Sequence, residues 1–75
     1  MIKKNQLVLY NDNHHSFDYV IDTLISVCEY ELEQAEQCAF LTHYRGQCTI
    51  KSGKKVDLLN YMEGLIIKGL YVEII

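Results

Sequence analysis

The chain has 75 residues, of which 49% are apolar, and it carries a net charge of −3 with no proline. At this length we expect one small domain with one core, covering residues 1–75. The apolar runs are far shorter than the roughly 20 residues that span a bilayer, and the scattered Lys and Arg residues argue against nucleic-acid binding. Three cysteines without Cys-x-x-Cys spacing do not make a disulfide framework, which favours a soluble, cytoplasmic protein.

The first half of the chain predicts a strand followed by a helix. Residues 6–10 are rich in strand formers and end at Asn11-Asp12-Asn13, residue types that turn the chain by bonding to their own backbone. Ser16 then fits a helix N-cap, and Asp18 lies where a carboxylate offsets the positive end of the helix dipole. Apolar residues recur every three or four positions from there to Cys28, so we expect the first helix to end near it.

The second half predicts two more helices and two more strands. An apolar face from Leu32 to Thr42 indicates a second helix that ends with Arg45 and Gly46. Residues 47–51 alternate as a strand does and lead into a turn at residues 52–54. A third helix over residues 56–66 is stopped by Gly69, and residues 70–74 alternate as a closing strand.

The predicted order is β-α-α-β-α-β, which on so short a chain leaves room for two layers only. We therefore expect an α+β two-layer sandwich, with three helices covering a three-stranded, mostly antiparallel sheet. The side chains expected to be mainly buried are Phe17, Leu24, Leu59 and Leu65.

Two polar segments carry the candidate chemistry. An amide oxygen of Asn11, the carboxylate of Asp12 and a ring nitrogen of His43 are acceptors that suit an α-ammonium group, provided that the two segments meet in space. The end of the first strand and the C-terminal end of the second helix can lie at the same edge of a small sandwich. The simpler alternative is an Asx-turn at Asn11-Asp12-Asn13 and a histidine that only offsets a helix dipole.

The segments Asn11-Asp12-Asn13 and His43-Tyr44-Arg45-Gly46 resemble the two hallmarks of the ClpS adaptor family, Asn-Asp-Asp after the first strand and His-Tyr/Arg-x-Gly at the end of the second helix. The resemblance runs from about Leu7 to Glu73. It implies the same sandwich and a non-enzymatic adaptor of the N-end rule type, which binds substrate proteins by a free amino terminus and a bulky apolar first residue. It implies no cofactor.

The resemblance also implies roles for particular residues. Asn11 and His43 would hold the substrate amine, and Asp12 and Asn13 would form the mouth of the pocket, so we expect Asn11 and His43 to approach one another across a shallow cavity. The positions that match the walls of the family's hydrophobic pocket are His15, Phe17, Ala39, Thr42 and Leu70.

Several of these positions depart from the family pattern. His15 replaces a threonine, Phe17 and Ala39 replace two methionines that line the pocket, and Thr42 replaces a valine. A rigid phenylalanine in place of one adaptable methionine and a small alanine in place of the other redistribute volume across the pocket. The preference among bulky first residues is therefore expected to differ from that of the family. Asn13 replaces an acidic residue, so it accepts a hydrogen bond but adds no charge.

The partner that the resemblance implies is the N-terminal domain of a Clp-type AAA+ unfoldase, which ClpS proteins contact around the second strand and third helix. Lys54 and Lys55 are candidate contacts there, although a solvated turn explains the same charges, and residues 51–55 are shortened relative to the family. Only residues 1–5 precede the first strand, so we expect almost no N-terminal extension.

Three other functions compete with this interpretation. His14, His15, His43 and the cysteines are metal-ligand types, but their spacing does not suit a site, and we expect no metal. Cys48 with His43, or Cys28 with a histidine, would make a nucleophile and a base, but no third group is evident to orient them. The remaining alternative is an interaction module that keeps the fold and has lost amino-terminus recognition.

Overall fold

The computed structural model describes residues 4–75, so residues 1–3 of the predicted short N-terminal segment lie outside the described residues. The elements in chain order are β1 (Asn5–Tyr10), α1 (Phe17–Cys28), α2 (Leu32–Arg45), β2 (Gln47–Gly53), α3 (Lys55–Ile67) and β3 (Tyr71–Ile74). The predicted order and fold class are confirmed. None of the helices within residues 4–75 combines the length and the apolar character that a membrane span requires.

The sheet is antiparallel, with β1 between β2 and β3. Leu9 on β1 pairs with Cys48 on one side and with Val72 on the other. Successive residues of a strand point to opposite faces, so Leu7 and Leu9 share one face, and Val72, which pairs with Leu9, lies on the same face and packs into the main core. The helices contribute the rest of that core, chiefly through Ile21, Leu24, Cys28, Ala35, Cys38, Ala39, Leu58 and Leu65.

The helix ends follow the local sequence. The Ser16 hydroxyl oxygen accepts a hydrogen bond from the Tyr19 N–H at 3.1 Å, which caps α1 as predicted. Gly46 ends α2 in the left-handed region, with φ +86°, and its N–H donates to the Thr42 carbonyl at 3.0 Å. A glycine adopts this backbone at no steric cost, which explains why the helix ends there.

Two predictions of burial are confirmed and two are wrong. Leu24 and Leu65 are fully buried, whereas Phe17 is 44% exposed and Leu59 is 45% exposed. Phe17 is the first residue of α1 and lines an open cavity. In α3 the buried side chain is Leu58, seven residues before Leu65, which places Leu59 toward solvent.

The predicted turn at residues 52–54 also begins too early. Ser52 and Gly53 belong to β2, where they pair with Gln6 and Asn5 at the start of β1. The opposing strand supplies backbone partners that outweigh the turn preference of Ser-Gly. The connection to α3 is therefore Lys54, which is the N-cap residue of that helix.

Candidate functional site

The loop between β1 and α1 is organised around the Asp12 carboxylate. Its Oδ1 atom accepts hydrogen bonds from the backbone N–H of His14 at 2.8 Å and of His15 at 3.0 Å. The His15 Nδ1 atom lies 3.1 Å from both carboxylate oxygens. Desolvation acts to raise the pKa of Asp12, but these hydrogen bonds from His14 and His15 outweigh it, so the pKa lies below its ordinary value. The carboxylate is ionised at neutral pH and shapes the loop as an Asx-turn does.

The His15 ring is held on its other side as well. It stacks on the Tyr19 ring with centroids 4.9 Å apart and planes 19° from parallel, while the Tyr19 hydroxyl donates to the Lys68 carbonyl at 2.7 Å. Gly69 follows with φ +85°, and a Cβ there would lie 3.1 Å from the His15 Nε2 atom. Any larger residue at Gly69 would therefore be strained and would crowd the ring.

A backbone hydrogen bond joins the second polar segment, His43-Tyr44-Arg45-Gly46, to the first, Asn11-Asp12-Asn13. The Asn11 N–H donates to the Gly46 carbonyl at 2.9 Å, which joins the end of β1 to the C-terminal end of α2. One turn earlier, the buried Thr42 hydroxyl donates to the Cys38 carbonyl at 2.8 Å. The His43 side chain is exposed and meets the Tyr44 ring edge-on, with centroids 5.6 Å apart.

Both segments open onto one cavity of about 370 Å³. All nine residues predicted for the amine site and the hydrophobic pocket line it, and they are joined by three residues that the sequence analysis missed: Leu9, Tyr10 and Val20. Val20 lies one turn after Phe17 on the same helix face, a spacing that identifies it in retrospect. Leu9 and Tyr10 directly precede Asn11, but strand position alone does not distinguish a cavity wall from the core.

The cavity combines an apolar interior with acceptors at its edge. Ala39 and Leu70 are buried apolar side chains, whereas Asn11 and His43 are exposed to solvent. The C-terminal end of α2 lies beside them and contributes the negative end of the helix dipole, which favours a cation. The arrangement is therefore suited to a ligand with an ammonium group next to an apolar side chain.

The other candidate residues lie elsewhere. Lys54 and Lys55 are exposed at the start of α3 and do not line the cavity. His14 is exposed and does not line it either. Within residues 4–75, no group of three or more His, Cys, Asp or Glu side chains is placed to hold a metal ion.

Comparison with known proteins identifies the family. Residues 2–67 match the family model described as ATP-dependent Clp protease adaptor protein ClpS. The chain is 31% identical over 75 residues to E3 ubiquitin-protein ligase UBR1 from human and from mouse; the match covers 91% of this chain but only 4% of each ligase. The structure of Agrobacterium tumefaciens ClpS2 bound to L-phenylalaninamide shares the fold, with a TM-score of 0.86, 14% sequence identity and coverage of 97% of this chain and 95% of that one. The chain belongs to the ClpS family of Clp protease adaptors.

Proposed function

We propose that this protein is a non-enzymatic, cytoplasmic adaptor that binds the free amino terminus and the bulky apolar first residue of substrate proteins. It then delivers them to the N-terminal domain of a Clp-type AAA+ unfoldase. The observation that carries the proposal is a single cavity lined both by the acceptors Asn11 and His43 and by the buried apolar side chains of Ala39 and Leu70.

The ligand of the Agrobacterium tumefaciens relative supports the ligand class. L-phenylalaninamide, bound in that structure, presents a free amine, an aromatic side chain and an amide, which are the chemical groups at the start of a peptide. In the present protein, Asn11 and His43 supply acceptors for such an amine, and the cavity accommodates the side chain. Asp12 acts mainly through the loop, because its Oδ1 atom already accepts from two backbone N–H groups.

The experiment that tests recognition compares peptides that differ only at their first residue and amino group. A C-terminally labelled peptide that begins with phenylalanine is expected to bind, and acetylation of its amine is expected to weaken binding about five- to a hundredfold. Acetylation removes the charged donor, and the hydrogen bonds that it makes to Asn11 and His43 contribute ~1–3 kcal/mol. The measurement is a fluorescence anisotropy titration, with a glycine-first peptide as the control for the apolar pocket.

The competing interpretation makes a different prediction for the same titration. An interaction module that has lost amino-terminus recognition binds free and acetylated peptides equally, or binds neither. Either result would reject the proposed recognition of a free amino terminus.

Delivery is tested at Lys54, the N-cap residue of α3, and at Lys55, the first residue of that helix. We expect Lys54→Glu combined with Lys55→Glu to weaken binding to the purified N-terminal domain of the Clp unfoldase of the same organism by about threefold to tenfold, since exposed charges at an interface edge contribute modestly. The effect should shrink as salt is added. Isothermal titration calorimetry measures it, and Lys4→Glu combined with Lys68→Glu is the matched control with the same change in charge. Equal losses in both double variants would exclude a specific contact at Lys54 and Lys55.

A further inference from the structure

A pair of thiols, Cys38 and Cys48, joins α2 to β2. The Cys38 Sγ atom on α2 is 3.2 Å from the Cys48 Sγ atom on β2, although the two residues are ten positions apart and do not form a Cys-x-x-Cys motif. A disulfide requires an S–S distance of about 2.05 Å, so the two sulfurs need to approach by only about 1.2 Å. All three cysteines of the chain are free thiols in this structure.

The two thiols differ in exposure and in acidity. Cys48 is partly exposed and lines a second cavity of about 510 Å³, together with Leu41, Arg45, Gln47 and Thr49. The hydrogen bond from the Cys38 thiol lowers the pKa of Cys48 to about 7. Burial opposes this shift by raising the pKa, and the Arg45 charge adds to it by lowering the pKa. The same hydrogen bond, together with burial, raises the pKa of Cys38. Cys48 therefore has the character of an attacking thiolate, and Cys38 that of a resolving thiol.

We propose that Cys38 and Cys48 are a redox-active pair that a hydroperoxide converts to an intramolecular disulfide. The Cys48 thiolate attacks one oxygen of hydrogen peroxide; an S–O bond forms, the O–O bond breaks, and the departing hydroxide takes up the proton released by the Cys48 thiol as water. Cys38 then attacks the Cys48 sulfur; the S–S bond forms, the S–O bond breaks, and the second hydroxide leaves as water with the Cys38 proton. Two electrons pass in total from the two sulfurs to the peroxide.

A disulfide between Cys38 and Cys48 would lie next to two residues that line the cavity. Cys38 directly precedes Ala39 in α2, and Cys48 pairs with Leu9 across the sheet, and both Ala39 and Leu9 line the cavity. The disulfide ties α2 to β2 at the wall of that cavity. The pairing itself does not depend on which ligand the cavity binds.

The test treats the purified protein with hydrogen peroxide near neutral pH, blocks the remaining thiols with N-ethylmaleimide and analyses it by intact mass and peptide mapping. The expected product is a monomer that has lost two hydrogens, with Cys38 linked to Cys48, and dithiothreitol restores the thiols. The matched control is Cys28→Ser, because Cys28 is buried and burial raises its pKa to about 11 against the opposing charge of Lys51. This variant is expected to react as the wild type does.

Two further variants assign the roles. Cys38→Ser is expected to stop at a sulfenic acid on Cys48 that dimedone traps. Cys48→Ser is expected to react at least about tenfold more slowly, because the remaining thiols are largely protonated. A wild-type product that lacks the Cys38–Cys48 linkage, or that links Cys28 instead, would overturn the proposal, and so would a Cys48→Ser variant that reacts at the wild-type rate.

Discussion

Leu58→Ala is expected to lower the free energy of unfolding by about 2–5 kcal/mol, the range for truncating a fully buried leucine. The Leu58 side chain is 1% exposed and packs in the core beneath the sheet. A domain of this size is stable by only roughly 4–11 kcal/mol in total. The loss is therefore a large fraction of the stability of the fold, and urea denaturation followed by circular dichroism measures it.

The neighbouring leucine supplies a matched control. Leu59→Ala makes the same chemical change in the same helix, so the gain in helix propensity is the same in both variants. Leu59 is 45% exposed, and its truncation is expected to cost less than about 1 kcal/mol. Equal losses at Leu58 and Leu59 would show that α3 presents a different face to the core.

Removing both proposed ligands of the substrate amine should have the largest effect on binding. We expect Asn11→Ala combined with His43→Ala to weaken binding of a peptide with a free amino terminus by about a hundredfold or more, since each lost acceptor of a charged donor contributes ~1–3 kcal/mol. The fold should persist, because Asn11 joins Gly46 through its backbone N–H and the His43 side chain is exposed. Anisotropy titration measures the affinity, and circular dichroism checks the fold.

The control for this variant changes the same residue types outside the cavity. His14 and Asn60 are exposed and do not line it, so His14→Ala combined with Asn60→Ala should leave peptide affinity unchanged. Acetylated peptide adds a second check, because it lacks the ammonium group and should bind the wild type and the Asn11→Ala, His43→Ala variant with similar affinity. A full loss of affinity in the control variant, or none in the site variant, would refute the assignment of Asn11 and His43.

Local sequence signals account for most of the fold. The Ser16 cap, the Gly46 stop and the alternation in β3 each rest on residues close together in the chain, and the structure has all three. Leu59 was misplaced because α3 carries apolar residues on several faces, so that periodicity alone does not identify the buried one. The extent of β2 depends on pairing with Asn5 and Gln6, which are far away in sequence.

In the candidate site, too, some features were predicted from the sequence and others depend on tertiary contacts. The resemblance to the ClpS family implied that Asn11 and His43 approach one another, and both line the same cavity. The order of elements allowed this, since β1 and α2 end at the same edge, where the Asn11 N–H bonds to the Gly46 carbonyl. The bonding of the Asp12 carboxylate to the backbone N–H groups of His14 and His15 is the Asx-type turn that the residue types predict. The contact of the His15 ring with the same carboxylate depends on loop geometry and was not predicted. The contact between Cys38 and Cys48 joins a helix to a strand, so no spacing motif in the sequence predicts it.

The hydrogen bond from the Asn11 N–H to the Gly46 carbonyl bears on how the protein can evolve. Both atoms belong to the main chain, so the link survives exchange of side chains around the cavity, apart from a proline at position 11. Mutation of the half-exposed Phe17 can therefore change the shape of the pocket, while the main-chain link between the two polar segments persists. Ligand preference can therefore change by substitution in the pocket without loss of the fold.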